Sequence, residues 1–107
     1  MHIEPRVTEY TVCPLPEGDI NASGFTITVA YRGRDLWAVL RHRWCLGTDG
    51  EGDYESVPSE REDEWLAGHR FALDDALQLA AEHVLKLTVN GWTVADALAA
   101  AERRSTR

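Results

Sequence analysis

GFTITVAYRGRDLWAVLRHRWC, running from Gly24 to Cys45, decides the fold. From Phe25 to Arg32 the residues alternate strictly: Phe25, Ile27, Val29 and Tyr31 fall on one side, Thr26, Thr28, Ala30 and Arg32 on the other. A period of two with β-branched and aromatic residues predicts a half-buried strand. A second strand is expected from Asp35 to about Cys45. Gly33-Arg34 between them suits a two-residue type II′ turn, which takes glycine first. That turn pairs Arg32 with Asp35, Tyr31 with Leu36, Val29 with Ala38, Ile27 with Leu40 and Phe25 with His42. The even-numbered residues of the second strand would then join the core, because an odd loop would reverse one strand. Trp37 and Val39 would face away from it with Arg32, Arg41 and Arg43, covered by another element or by a partner.

Outward from the hairpin, Val7 to Cys13 reads as a first strand stopped by Pro14 and Pro16. Asp49-Gly50 suits a type I′ turn, and Asp53 to Val57 would return as a short fourth strand. Ser59 and Glu62 match a capping box ahead of a short helix, Glu60 to Ala67. The main helix spans Ala72 to about Leu85, with Leu73, Ala76, Leu77, Ala80 and Val84 in one apolar stripe. Thr88 to Trp92 reads as an extended turn. Thr93 then caps a last helix, Val94 to about Arg103, with Asp96 at its third position and Val94, Ala97, Leu98 and Ala101 turned inward. The predicted class is α+β: an antiparallel meander of three to four strands packed on one long helix, with a short helix and a C-terminal helix.

A chain of 107 residues makes one domain. Its 44% hydrophobic content and four tryptophans exclude a disordered segment. No apolar run approaches the ~18 residues of a membrane span, and MHIEPRVTEY lacks a signal-peptide core, so a cytoplasmic location is expected. Cys13 and Cys45, the two cysteines, are read as buried reduced thiols. With His42 and His69 they lack the spacing of a zinc set.

The net charge of −7 opposes generic nucleic-acid binding, but it is unevenly spread. Thr48 to Glu64 carries eight acids against Arg61 alone. Arg32 to Arg43 carries four arginines against Asp35. Ten arginines against the single Lys86 fit a GC-rich coding bias. PSEREDEWLAGHRF (Pro58 to Phe71) and TVNGWTVADALA (Thr88 to Ala99) resemble small uncharacterised proteins of actinobacteria and their phages. The resemblance covers about a quarter of the chain; it implies such a source and no activity.

Three constellations carry chemistry. Asp49, Glu51, Asp53, Glu55 and Glu60 fall at positions 1, 3, 5, 7 and 12 of a calcium loop, but Tyr54 replaces the glycine of the sharp turn and Pro58 breaks the loop. The same acids would serve better as a protein-binding or nucleic-acid-mimicking surface, formed by Asp53, Glu55, Glu60, Asp63 and Glu64 with Trp65 as aromatic anchor. Alternatively, Trp37 stacks bases while Arg32, Arg41 and Arg43 hold phosphates. Catalysis finds no support. Gly-rich phosphate loops, nucleophile elbows and metalloprotease motifs are missing from the sequence, and His83 reads as a helix-end charge. The expectation is a small non-enzymatic acidic interaction protein, without cofactor, that modulates a cellular protein partner; the alternative is a nucleic-acid-binding module using the Arg/Trp hairpin.

Overall fold

The computed structural model describes residues 3–48, 52–54 and 63–105. Strands β1 (Glu9–Val12), β2 (Ile27–Tyr31), β3 (Trp37–Arg41), β4 (Trp44–Leu46) and β5 (Gly52–Tyr54) form one antiparallel sheet in chain order. A 3-10 turn, Ala22–Phe25, leads into β2. Helices α1 (Asp63–Gly68) and α2 (Leu73–Val84) follow. A small hairpin of β6 (Thr88–Val89) and β7 (Trp92–Thr93) precedes α3 (Val94–Ser105). The fold is α+β, as the alternation and the helical stripe predict.

The register of the central hairpin is shifted by one residue from the expected one. Tyr31 pairs with Trp37, Ala30 with Ala38, Val29 with Val39 and Thr28 with Leu40. The connection is a five-residue loop, Arg32 to Leu36, not a two-residue turn. It is closed by the Arg32 N–H donating to Leu36 O at 2.9 Å and the Leu36 N–H donating to Gly33 O at 3.0 Å. Gly33, Arg34 and Asp35 all take positive φ (91°, 55° and 60°).

The odd loop turns Trp37 and Val39 into the core beside Ile27 and Val29, and leaves Leu36 exposed. The magnitudes explain the choice. Holding two non-glycine residues in the left-handed region costs about 1–2 kcal/mol each. Burying a tryptophan and a valine removes enough apolar surface to return roughly 6 kcal/mol. Trp37 is 7% exposed and packs its ring 5.6 Å from that of Tyr10 and 5.1 Å from that of Tyr31.

The expected second strand is also broken. Arg41 pairs with Trp44, so His42-Arg43 is a two-residue turn, with His42 at φ 56°. One predicted strand therefore becomes β3 and β4, and the meander has five strands where three to four were expected. At the other end of β3, Trp37 exchanges backbone hydrogen bonds with Phe71, which delivers the chain to α2.

Ala76, Ala80 and Val84 of α2 are buried over the sheet, while Leu73 and Leu77 flank the contact, half-buried. Small side chains let the helix approach β1, β2 and β3 closely. Leu87, Val94 and Ala97 complete the core; Leu98, expected inside, is exposed and Ala100 is buried instead. The Thr88–Trp92 turn is a hairpin around Asn90-Gly91, both left-handed at φ 51° and 82°, as a type I′ turn requires. The cap of α3 is reciprocal: the Thr93 N–H donates to Asp96 Oδ2 at 3.0 Å, and the Asp96 N–H donates to Thr93 Oγ1 at 3.2 Å.

Candidate functional site

The residues expected to form one cationic aromatic face are dispersed by the shifted register. Trp37 lies in the core and offers no stacking platform. Arg32 opens the β2–β3 loop, Arg41 ends β3 on the side of the sheet that carries Trp37 and Val39, and Arg43 occupies the β3–β4 turn. Two clefts, one at each end of β3, take these arginines separately.

The first cleft has a volume of about 730 Å³ and lies between the β2–β3 loop and α1. Arg32, Arg34 and Leu36 line it from the loop; Asp63, Leu66, Ala67 and Arg70 line it from the helix and its exit. It thus joins one residue of each surface anticipated from the sequence, Asp63 and Arg32. Leu36, 39% exposed, supplies apolar lining that the expected register had assigned to the core.

Of the acidic surface, Asp53 and Asp63 are exposed. Glu55 and Glu60 lie outside the described residues, as do the side chain of Glu64, the Asp49-Gly50 turn, Glu51 and the Ser59–Glu62 box. Trp65, the anticipated aromatic anchor, stands two residues after Asp63 on α1. It is half-buried, with its ring stacked on that of His69 (centroids 4.1 Å, interplanar angle 7°) and with Arg70 Cζ 5.5 Å from the ring centroid. His69 Nδ1 lies 2.7 Å from Trp65 O, and a carbonyl can only accept, so this nitrogen carries the proton. Helical spacing alone does not predict this stack, because His69 lies one residue past the end of α1 at Gly68.

The second cleft, about 550 Å³, lies between the β3–β4 turn and the C-terminal end of α2. Its lining is Arg41, His42, Arg43, Trp44, Leu46, His83 and Leu87. Arg41 spans to the 3-10 turn and the small hairpin, donating from Nη2 to Gly24 O at 3.4 Å and Thr88 O at 3.5 Å. Its Nε is buried without an acceptor among the described residues. Burial holds the pKa of His83 below its ordinary 6.5, and the positive charges of Lys86 and Arg41 add to the effect. His83 stands in the last turn of α2, the helix-end position expected of it, and its pKa is lowered there. Trp44, unremarked in the sequence, is 39% exposed beside it. Its signal was the run RHRW, which reads as strand until His42-Arg43 is taken as a turn.

Cys13 is half-buried, with Sγ 3.6 Å from Ala22 O, and Cys45 is buried; neither is in a disulfide. Among the described residues, no three His, Cys, Asp or Glu side chains assemble into a metal site. No described helix is long and apolar enough to cross a membrane. Comparison with models of protein families, with curated proteins and with solved structures gives no match.

Proposed function

We propose that this chain is a small non-enzymatic interaction protein that modulates a cellular protein partner through the cleft between the β2–β3 loop and α1. The observation that carries the reading is the composition of that cleft. Arg32, Arg34 and Arg70 line it together with Leu36, Leu66, Ala67 and Asp63. Arginine is enriched at protein-binding surfaces, and the buried centre of such a surface is apolar. Leu36 and Leu66 supply apolar contact in the cleft, with Trp65 adjoining on α1 as the aromatic residue. The acidic segment, net −7 over Thr48 to Glu64, leads into Asp63 and supplies the field that would steer the encounter. An actinobacterial or phage origin and a cytoplasmic location belong to the same proposal.

The test is affinity capture from an actinobacterial lysate with three forms of the chain: wild type, Leu36→Asp/Leu66→Asp, and Glu60→Gln/Asp63→Asn/Glu64→Gln. Wild type should retain a defined partner, and the apolar double variant should lose it. The acid-neutralised variant should capture it more slowly in low salt, with the difference shrinking in high salt. Equal capture by all three forms, or no specific capture by wild type, would overturn the proposal.

A further inference from the structure

We infer that the cleft between the β3–β4 turn and the end of α2 binds a nucleoside phosphate, with Arg41 and Arg43 holding the phosphate and Trp44 stacking the base. This site is separate from the partner cleft, and it stands or falls independently of that reading.

The charge pattern is the first argument. The chain carries a net charge of −7, yet among the described residues every ionisable side chain lining this cleft is basic: Arg41, His42, Arg43 and His83. The field there is positive enough for Lys86 and Arg41 to oppose protonation of His83. The two guanidinium groups, Arg41 and Arg43, repel each other across the cleft, and an anion between them relieves that repulsion. The Arg41 Nε is buried and has no acceptor among the described residues, so its donor remains to be satisfied. A bidentate guanidinium suits a phosphate, and two arginines with two imidazoles suit a dianion better than a single carboxylate.

The aromatic and apolar part of the lining selects the rest of the ligand. Trp44, Leu46 and Leu87 lie beside the arginines. Indole faces hold nucleobases with little regard for base identity. The volume of about 550 Å³ falls within the range of small-molecule pockets. The overall charge argues against a long polyanion, because the rest of the molecule repels phosphates that extend beyond the cleft. A mononucleotide carries the required dianion and base with the least repulsion.

The experiment titrates the purified full-length chain with AMP, adenosine, inorganic phosphate, an octathymidylate single strand and a glutamate-rich peptide, following the indole resonances by NMR. AMP should shift the Trp44 indole. Adenosine and phosphate alone should each bind about tenfold more weakly, the scale of one stacked base or one charged hydrogen bond. Arg43 is exposed on a turn, so Arg43→Gln should keep its Tm while losing about tenfold in AMP affinity. Trp44→Leu should weaken AMP and leave inorganic phosphate unchanged, a split that mere structural damage does not produce. Octathymidylate binding that exceeds AMP and is lost in Arg43→Gln supports the same nucleotide chemistry and assigns its source to single-stranded nucleic acid. Four results overturn the inference: no AMP binding, AMP binding indifferent to Arg43→Gln, phosphate alone binding as tightly as AMP, or the acidic peptide doing so.

Discussion

The indole of Trp44 lies against the backbone of Gly52 so closely that a Cβ at position 52 has no room beside Nε1. The two residues are diagonal neighbours across the β4–β5 ladder, in which Leu46 pairs with Gly52 and Trp44 with Tyr54. Glycine here is required by contact, not by φ. Gly52→Ala should push the indole off this seat at about 0.5–1.5 kcal/mol, the cost of an off-rotamer side chain. The Trp44 resonance should move while those of the other tryptophans stay. An unshifted Trp44 in that variant would refute the contact.

The hairpin register makes a sharper prediction, because a one-residue slip exchanges every side chain between the two faces. Trp37→Ala should cost about 3–5 kcal/mol, as truncation of a buried aromatic does. Leu36→Ala, at an exposed loop position, should cost about 1 kcal/mol or less. A two-residue turn would reverse that order. Urea midpoints of the two variants decide between the registers.

The same hairpin shows what could be read from the sequence. The alternation from Phe25 to Arg32 identifies β2, and the stripe through Ala76, Ala80 and Val84 identifies α2, because each pattern repeats a local geometry. Loop length is not local in this sense. GRD between Tyr31 and Trp37 fits a tight turn on its own, and only Tyr10, contributed by a strand some twenty residues earlier, explains why Trp37 turns inward. The candidate clefts were hidden for the same reason. Arg32 and Asp63 line one cleft, and Arg43 and His83 the other, from elements whose packing no spacing rule reveals.

Two carboxylates should govern the acid limb of stability. Arg104 Nη2 donates to Asp19 Oδ2 at 2.6 Å and, with the Asn21 N–H, holds the Asp19 carboxyl below its ordinary 3.8. The Thr93 N–H, and then the Thr93 hydroxyl, do the same for Asp96. A depressed carboxyl contributes stability above its unfolded pKa and loses it as pH falls through the folded value. Asp19→Asn and Asp96→Asn should therefore each lower Tm at neutral pH, and the differences from wild type should vanish well below pH 3.8. A difference that persists unchanged in strong acid would show that the carboxylate charge is not the source.

His83 should act in the opposite part of the pH range. Its folded pKa lies below 6.5, first through burial and then through Lys86 and Arg41. Between the two values the unfolded chain binds a proton that the native chain does not, so stability falls as pH drops below 6.5. His83→Gln should flatten that part of the Tm profile. Arg41, His42 and Arg43 line the cleft with His83, and Lys86 follows in the chain. Lys86→Gln removes one of these cations without touching the lining, so it should move the His83 titration midpoint, followed through its imidazole protons, back toward 6.5. AMP in the cleft should move it the same way, because a phosphate dianion offsets the field that the lysine and arginine create. A wild-type midpoint at or above 6.5 would remove the cationic field from the argument, and with it the charge basis for an anion at this end of the sheet.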